Sequence, residues 1–330
     1  MKDKERIITF CGPFRNLCDK YISYKRSLGF DYGIKTACTI RNMDRFFKNY
    51  HFNTPKLTKE MVLSFTAYRE NESLKTQTYR MCLIRQFAIF LTRLGYDAYI
   101  LPVRFVKIGK TFTPCIFTYD EILRIIKASD NLKICKWSPY RHLIYPVLIR
   151  MLYGCGLRIS EALSLKVSDV NLIDGILTIT KSKFNKSRLV PMSESLTKIC
   201  CDYAAKMNFS IKDNGYFFPA PDKGRYNSHA IYVRFKRFLK EAGIVLTGYA
   251  SGPRLHDLRH TFAVHAMEKM VAEDIDIYCS LPILCAYLGH KDIESSQKYL
   301  RLTKQSFSRI TSPLENLYKG VFPEVNSNEK

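Results

Sequence analysis

Apolar residues recur at helical spacing throughout the first third of this chain. Intervals of three and four residues between apolar positions mark one face of an α-helix. The pattern predicts four helices, over residues 14–28, 34–50, 58–68 and 76–94. Gly29 and Gly95 follow the first and fourth helices as stop signals, and Thr58 suits the N-cap of the third. The first third is therefore predicted to form a small helical domain with a basic exterior.

The helical periodicity breaks between Tyr96 and Pro114, where Pro102 and Gly109 also lie. Such a stretch is typical of a connection between domains. A new helix is predicted to begin at Thr118, with acidic residues in its first turn. We therefore divide the chain into a helical domain, a linker, a second domain and a disordered tail, at residues 1–100, 101–116, 117–320 and 321–330.

One segment of the second domain departs from helical spacing. The runs GILTIT and RLVPM flank a polar, lysine-rich turn, which predicts a β-hairpin over residues 175–192. A helix around residues 145–152 is predicted to stop at Gly154, and another to begin near Arg158. The sequence after the hairpin reads as mostly helical to about residue 318. The predicted fold class is mainly α with a small β-sheet.

The net positive charge of the chain bears on the kind of partner that it binds. The chain has 330 residues, 46% of them hydrophobic and 25% charged, with a formal net charge of +22. Residues 1–113 carry 21 basic against 9 acidic side chains, and the remainder carries 31 against 21. Both parts therefore suit a polyanion such as DNA, because lysine and arginine displace counterions from phosphates. A solvated basic surface, or attraction to an anionic membrane, would produce the same excess.

Cysteine usage and hydropathy bear on compartment and cofactors. The eleven cysteines include no CxxC pair and no Cys/His cluster at zinc spacing. We therefore expect no disulfide framework and no bound metal or other cofactor. The start MKDKERIITF lacks an apolar signal segment, and no run approaches the roughly 20 apolar residues of a membrane span. These features predict a cytoplasmic protein without a membrane partner.

The candidate chemistry lies in the second domain, in an ordered series of polar side chains within recognisable motifs. They are Arg158 in GCGLRISEALSL, Lys183 in KSKFNKSRLVP, His256 and Arg259 in HDLRHTFA, His290 in YLGH, and Tyr299 nine residues further on. Cationic donors suit a phosphodiester, whose non-bridging oxygens gain charge when the phosphorus is attacked. A tyrosine just after them is a plausible nucleophile. The series points to metal-free cutting and rejoining of DNA.

Each piece of the series also has an ordinary structural explanation. Glu161, three residues after Arg158, can orient its guanidinium, although such pairs are more often surface ion pairs. His256 and Arg259 are expected to share one helix face, as many HxxR pairs do without sharing a ligand. His260 follows Arg259 directly, and we expect it to point elsewhere and to be structural. The order of the pieces is far less probable by chance than any one of them.

Residues 118–304 resemble the catalytic domain of the tyrosine recombinase (phage integrase) family. That family has Arg, Lys, His-x-x-Arg, His or Trp, and then Tyr, and this chain fills every position. The LVP of the hairpin and the LRHTFA after His256 fit as well. The helical first third is similar to the family's core-binding domain in pattern alone. The resemblance thus implies a four-helix core-binding domain followed by a catalytic domain.

The resemblance also implies roles for these residues. Tyr299 would attack a DNA phosphate and leave a 3′-phosphotyrosine and a free 5′-hydroxyl. Arg158 and Arg259 would clamp the non-bridging oxygens with their planar forks. His256 would either assist the tyrosine proton or hydrogen-bond the phosphate, with His290 as a further donor. Because the covalent intermediate would store the energy of the broken bond, the resemblance implies no requirement for ATP or a metal.

The hairpin offers three lysines for one position of the pattern. Lys183 is favoured as general acid for the leaving 5′-oxygen, and Lys181 and Lys186 remain alternatives that could also contact DNA. An unperturbed tyrosine has a pKa near 10, so cationic donors should help Tyr299 to ionise.

DNA contacts beyond the catalytic residues are predicted on a helix over residues 228–242. Ile231, Phe235, Phe238 and Leu239 form its apolar stripe, and its basic residues on other faces are Arg234, Lys236, Arg237 and Lys240. A solvated amphipathic helix would have the same pattern. Beside a DNA-cleaving site, the basic face becomes a candidate for groove contact.

Family membership would further imply double-stranded DNA with specific recombination sites and a homotetramer that exchanges strands through a Holliday junction. It would allow for accessory DNA-bending proteins, and would imply a nucleoid location and a role either as a simple, Xer-like recombinase or as a mobile-element integrase. A helix over residues 303–318 would dock on a neighbouring protomer or on its own domain. Two other functions stay open: a type IB topoisomerase, which relaxes DNA, and a non-catalytic DNA-binding regulator with this fold.

Overall fold

The computed structural model describes residues 8–50, 53–103, 114–180, 187–210, 214–244, 252–290 and Tyr299. The chain divides into two compact units, Met1–Phe112 and Thr113–Lys330. In the first unit the helices are α1 (Arg15–Ser27), α2 (Ile34–Phe46), α3 (Lys59–Thr66) and α4 (Leu74–Arg93). All four helices that the apolar pattern predicts are present.

Aromatic rings fill the core of the first unit. The Phe14 ring lies 5.8 Å from that of Phe47 and 5.6 Å from that of Phe87, both edge to face. Tyr21 packs on Phe87 at 5.3 Å. Aromatic pairs in such geometry contribute more than the burial of their area alone. The apolar stripes of α1, α2 and α4 therefore converge on one cluster.

The helix ends differ in detail from the sequence prediction. The predicted second helix is too long: α2 ends at Phe46, and Phe47 and Tyr50 follow in successive tight turns. These turns carry the Phe47 ring into the core, so apolar spacing continues beyond the helix. The fourth helix starts earlier than predicted, because Ser73 accepts a hydrogen bond from the Thr76 amide as its N-cap.

The first unit also buries one ion pair. Arg80 on α4 donates Nε to the Glu72 carboxylate at 2.8 Å, and Nη2 of Arg80 also contacts that carboxylate. The two terminal nitrogens of Arg80 further donate to the backbone carbonyls of Phe65 and Ala67. All three nitrogens of this guanidinium thus have partners within the unit.

Both ends of the predicted linker are packed. Leu57 and Ala98 form an isolated parallel bridge, and Leu101 is buried in the core of the first unit. In the second unit the Phe117 amide donates to the Thr261 hydroxyl at 3.1 Å. Residues 104–113 lie outside the described residues, so the linker over 101–116 stays a prediction.

The second unit contains the sheet and the remaining described helices. They are α5 (Tyr119–Asp130), α6 (Arg141–Gly154), α7 (Ile159–Ala162), a 3₁₀ turn (Val167–Asp169), α8 (Glu194–Lys206), α9 (Ser228–Glu241), α10 (Asp257–Ala272) and α11 (Ile277–Leu288). Helix α6 packs against α5, α8 and α10, and α10 packs against α11. Thr118 and Glu121 form a complete capping box at the start of α5, as the acidic first turn predicts.

The sheet has three antiparallel strands in the order β1 (Val170–Asn171), β2 (Ile176–Ile179) and β3 (Arg188–Pro191). The β2–β3 pair is the predicted hairpin, with Leu177 opposite Val190, both buried. Its tip, residues 181–186, lies outside the described residues. The fold class expected from the sequence, mainly α with a small sheet, is confirmed.

Candidate active site

Arg158 stands at the N-terminal end of α7, just after a turn that only glycine fits well. The backbone of Gly156 has φ +57°, and a Cβ there would lie 2.5 Å from the Phe262 ring. Both constraints favour glycine. After this turn Arg158 takes an extended conformation as the N-cap of α7. The side chain of Arg158 is 19% exposed, so it is not fully enclosed.

Glu161 connects two arginines. Its carboxylate accepts a hydrogen bond from Arg158 Nη1 at 2.7 Å and from the Arg158 amide at 2.9 Å. Arg188 on β3 contacts both oxygens of the same carboxylate, at 3.1 and 3.0 Å. Glu161 therefore fixes the Arg158 guanidinium, as the sequence predicted, and also fixes a second arginine that the sequence analysis missed.

The Glu161 carboxylate is charged in this setting. Burial alone would raise its pKa, but hydrogen bonds and charge from Arg188 and Arg158 outweigh burial and lower the pKa to about 2. Glu161 is thus an anion at any physiological pH. A charged carboxylate gives Arg158 one stable orientation.

Arg259 is the most enclosed of the cationic groups, at 2% exposed. Its Nη1 donates to the Gly156 carbonyl at 2.7 Å and its Nη2 to the Leu288 carbonyl at 2.6 Å. Nη1 also lies 3.9 Å from Glu161. Burial and then the nearby Arg158 lower the pKa of Arg259 to about 9, which leaves it charged at neutral pH. Arg259 therefore ties the Gly156 turn to the end of α11.

His290 follows a glycine turn that closes over the same cluster. Gly289 has φ +65°, and a Cβ there would lie 2.9 Å from Arg188 Nη1. The Gly289 carbonyl accepts from Arg158 Nη2 at 3.3 Å. The turn thus brings His290 beside Arg158, and the His290 ring lies 6.2 Å from the Tyr299 ring.

His256 is the N-cap residue of α10 and is exposed. The buried Asp257 carboxylate accepts from the Arg254 amide at 2.7 Å and holds the turn that precedes the helix. The His256 ring lies 4.8 Å from the ring of His260, one helical turn further along. His256 therefore stands at the solvent-facing edge of the group.

Tyr299 is buried, with 1% of its surface exposed. Its ring belongs to a small apolar cluster on α10 and α11 that comprises Ala263, Val264, Met267, Leu281, Leu284 and Leu288. Burial raises the pKa of the Tyr299 hydroxyl, while Arg259 and Arg158 lower it. The two arginines act in the expected direction, but burial outweighs them, so the hydroxyl is less acidic than an ordinary tyrosine.

The expectation that His260 points away from the site is wrong. Its Nδ1 lies 3.0 Å from the Tyr299 hydroxyl oxygen. His260, Ala263, Val264 and Met267 share one face of α10 at helical spacing, and Tyr299 packs on that face. His260 was misplaced because the approach of Tyr299 to this side of the helix is a long-range contact.

Arg188 was missed, although a signal for it existed. Alternation along a strand puts Arg188 on the same face as Val190, which is buried. A charge on the core-facing side of a strand requires a buried partner, and Glu161 supplies it. The hairpin lysines Lys181, Lys183 and Lys186 lie outside the described residues, so their roles stay predictions.

Helix α9 has the two faces that the sequence predicts. The apolar stripe of Ile231, Phe235, Phe238 and Leu239 is buried. Lys236, Arg237 and Lys240 are exposed, and Arg234 is half-buried. Arg234 also lines a cleft of about 490 Å³ together with Arg141 and Arg225. Arg225 donates to the Ser160 carbonyl at 3.0 Å, which puts the cleft two residues from Arg158 along the chain.

The second unit thus brings a tyrosine hydroxyl together with guanidinium and imidazole groups. Such donors stabilise the charge on a phosphate under attack, and a tyrosine can make that attack. Fold and site together define a tyrosine-type recombinase.

Residues 116–306, more than half of the chain, match the family model of the phage integrase family. This chain belongs to the phage integrase family, which confirms the resemblance inferred from its motifs. Among the described residues, no helix has the length and apolar character needed to cross a membrane.

The chain is also similar to individual recombinases. An integrase/recombinase of Sinorhizobium fredii is 29% identical over 312 residues, which cover 91% of this chain and 97% of the relative. The tyrosine recombinase XerA of Pyrococcus horikoshii is 25% identical over 307 residues, or 92% and 93% of the two chains. The crystal structure of the site-specific recombinase XerH, bound to a palindromic difH substrate after cleavage, aligns with a TM-score of 0.63 at 20% identity. That alignment covers 90% of this chain and 84% of XerH, and it supports the fold.

Proposed function

We propose that this recombinase cuts and rejoins duplex DNA at specific sites, through a covalent bond between Tyr299 and a 3′-phosphate. The observation that carries the proposal is the gathering of Arg158, Arg259 and Arg188 around one carboxylate, where the charges of Arg259 and Arg158 act on the Tyr299 hydroxyl. Three guanidinium groups share one anionic partner among the described residues. The surplus positive charge suits a phosphate.

In the proposed reaction the Tyr299 oxygen attacks the scissile phosphorus. Arg158 and Arg259 bind the non-bridging oxygens, and His290 donates a further hydrogen bond. The P–O5′ bond breaks, and the leaving oxygen takes a proton from Lys183, with Lys181 and Lys186 as alternatives. Attack by the free 5′-hydroxyl of another strand reverses these steps and restores the tyrosine.

The buried state of Tyr299 implies a movement in this reaction. Tyr299 is 1% exposed and its hydroxyl is less acidic than usual, so it is poorly placed to meet a phosphate arriving from solvent. Substrate binding must therefore bring the phosphate to the hydroxyl or draw the tyrosine out of its apolar cluster. The phosphate of the bound DNA would then supply negative charge to balance Arg158, Arg188 and Arg259.

The proposed partner is double-stranded DNA carrying specific recombination sites. The DNA-bound form of XerH supports this choice. Contacts are assigned to Arg234, Lys236, Arg237 and Lys240 on α9, to the hairpin lysines Lys181 and Lys186, and to the arginine-lined cleft next to Ser160. Most of these would be phosphate contacts, which position the protein on the duplex.

The finer assignments are part of the same proposal. Residues 1–100 form the core-binding domain and residues 117–320 the catalytic domain, joined by the linker over 101–116. The tail predicted over 321–330 lies outside the described residues. Four protomers act on two synapsed duplexes through a Holliday junction, with accessory DNA-bending proteins, in the service of a mobile element. The protein works on DNA in the nucleoid. Topoisomerase and non-catalytic regulator functions are not favoured by the family relatives.

Trapping the intermediate tests the proposal. The full chain is incubated with a nicked suicide substrate, in which the short strand after cleavage diffuses away and rejoining fails. We expect a protein–DNA adduct that survives denaturation in the wild type and is absent in Tyr299→Phe. The Tyr299→Phe protein should still bind the same DNA. An adduct of equal yield in both proteins would overturn the proposal.

Binding can be followed through a built-in reporter. Trp137 is the single tryptophan of the chain, is 85% exposed and precedes Ser138, which lines the arginine cleft. We expect its fluorescence to change when duplex DNA is added, and the change to reverse as salt is raised. Arg225→Gln and Arg234→Gln should each weaken the response, whereas Lys206→Gln on α8 should leave it unchanged. An unaltered signal with DNA bound would place the duplex away from this cleft.

A further inference from the structure

We propose that His260 is a catalytic residue, which accepts the proton of Tyr299 as the tyrosine attacks the phosphorus. This inference rests on the proposed function and assigns a role that the HxxR motif does not include. Its basis is direct contact: Nδ1 of His260 lies 3.0 Å from the Tyr299 hydroxyl oxygen, and both residues are buried.

The surroundings of the pair hold it in place. The Tyr299 ring packs on the α10 face that carries His260, Ala263 and Val264, and the His260 and Tyr299 ring centroids are 5.7 Å apart. Among the described residues, the titratable groups that face the pair are His256, whose ring lies 4.8 Å from that of His260, and His290, whose ring lies 6.2 Å from that of Tyr299. Arg259 and Arg158 act on Tyr299 through their charge. Because the Tyr299 hydroxyl is enclosed, His260 is a nearer proton acceptor than bulk water.

The proton balance of the step is simple. A neutral imidazole protonated on Nε2 presents the Nδ1 lone pair to the tyrosine hydroxyl. As the tyrosine O–P bond forms, the O–H bond breaks and its proton moves to Nδ1. The P–O5′ bond breaks, and the leaving oxygen takes its own proton from the general acid. On rejoining, the same proton returns from Nδ1 to the tyrosine.

This assignment resolves the two roles left open for His256. With His260 at the nucleophile, we assign to His256, at the exposed edge of α10, the donation of a hydrogen bond to a non-bridging oxygen. The two histidines then act on different groups, His260 on the attacking tyrosine and His256 on the phosphate. One removes a proton from the nucleophile, and the other stabilises charge on the phosphate.

The chain contains a matched control on the same helix. His265 is also buried, and its Nδ1 lies 2.9 Å from the hydroxyl of Tyr153, a half-buried residue of α6 that has no role in the proposed reaction. His265→Asn therefore disturbs a His–Tyr contact of similar length on the same helix. It should alter folding about as much as His260→Asn without affecting proton transfer.

The test is single-turnover cleavage of a suicide substrate whose bridging 5′-oxygen is replaced by sulfur. A thiolate leaves without a general acid, so the pH dependence then reports the nucleophile side alone. Asparagine can accept a hydrogen bond near the position of Nδ1 but cannot take a proton. We expect His260→Asn to lose at least about 100-fold in rate, in the range of general base catalysis. The wild type should slow as the pH falls, since a protonated imidazole cannot accept, and His260→Asn should lose that dependence.

Each outcome decides the question. His260→Asn cleaving within a few-fold of wild type, while His260→Ala is slow, would reduce His260 to a positioning residue and overturn the proposal. His265→Asn should keep both the wild-type rate and the wild-type pH profile. Should His260→Asn fail to fold, the wild-type profile on the sulfur substrate decides, because a flat profile overturns the proposal and an acid-side loss supports it. A wild type that forms no adduct at all would instead refute the proposed function itself.

Discussion

Each unit of this recombinase contains a cluster of arginine and glutamate side chains, and the two clusters differ in their charge balance. In the first unit Arg80 meets one carboxylate, Glu72, and two backbone carbonyls. In the second unit Arg158, Arg188 and Arg259 all meet the single carboxylate of Glu161. The first cluster is neutral as a pair, and the second carries a surplus of two positive charges.

This difference separates a structural role from a functional one. Burying a charge is costly unless it is paired, and Arg80 is fully paired within its own unit. Among the described residues, Arg158, Arg188 and Arg259 meet one carboxylate, that of Glu161, and Arg158 keeps some exposure. A buried surplus of guanidinium charge is expected where an anionic ligand completes the pairing.

The largest expected effect is on catalysis. Arg259→Lys should slow adduct formation by about 10³-fold, because removing donors to developing phosphate charge costs about 10²–10³ per donor. Lysine cannot reproduce the planar fork that spans the Gly156 and Leu288 carbonyls. Arg80→Lys, measured in the same single-turnover assay, should cleave at the wild-type rate. Equal losses of cleavage rate in Arg259→Lys and Arg80→Lys would contradict the assignment of a catalytic role to the second cluster alone.

Next in size is an effect on folding alone. Arg80→Ala leaves Glu72 and the Phe65 and Ala67 carbonyls without their donor, which should lower the free energy of unfolding by about 3–5 kcal/mol. Urea unfolding measures it. Arg69→Ala removes an exposed neighbour stacked on Phe65 and should cost about 1 kcal/mol or less. A loss for Arg80→Ala no larger than that for Arg69→Ala would contradict the account.

Lowering the pH should destabilise the second unit, because Glu161 becomes protonated. Its pKa falls from an ordinary 4.5 to about 2, which corresponds to about 3 kcal/mol of unfolding free energy. Because the folded pKa is the lower one, this stability is present above pH 4.5 and is lost as the pH falls towards 2. Glu161→Gln should therefore be less stable than wild type near neutral pH, and the gap should narrow in acid. A gap that does not change with pH would show that Glu161 is not held as a carboxylate.

The smallest effect concerns the turn before His290. Gly289→Ala places a Cβ in a left-handed backbone conformation and 2.9 Å from Arg188 Nη1. The backbone strain alone should cost about 1–2 kcal/mol, and displacement of Arg188 should slow cleavage further. Gly95→Ala meets similar strain at φ +84°, with open space around the new Cβ. It should therefore lose similar stability and keep the wild-type cleavage rate.

Local features could be predicted from the sequence because their signals are local. The Thr58 and Thr118 caps, the buried stripe of α9 and the 175–192 hairpin each follow from spacing within one element. The motifs named Arg158, His256, Arg259, His290 and Tyr299, whose catalytic roles stay predictions. Helix ends were less accurate, since Phe47 enters the core from a turn and continues the apolar spacing.

Contacts between distant segments could not be predicted in this way. His260 and Tyr299 are 39 residues apart, and nothing in the spacing of α10 indicates which of its faces receives the tyrosine. Arg188 reaches Glu161 across 27 residues, although its inward position on β3 offered a clue. The net pKa of Tyr299 depends on burial, which is a property of the folded unit.

Peptide mapping of the trapped adduct tests the central claim most directly. The wild-type protein, linked to a suicide substrate and digested, is analysed by mass spectrometry for the residue that carries the DNA phosphate. We predict that the phosphate is attached to Tyr299, at the 3′ end of the cleaved strand. Attachment to any other residue, or cleavage that leaves no covalent link, would contradict the claim that the buried arginine cluster serves an attack by this tyrosine.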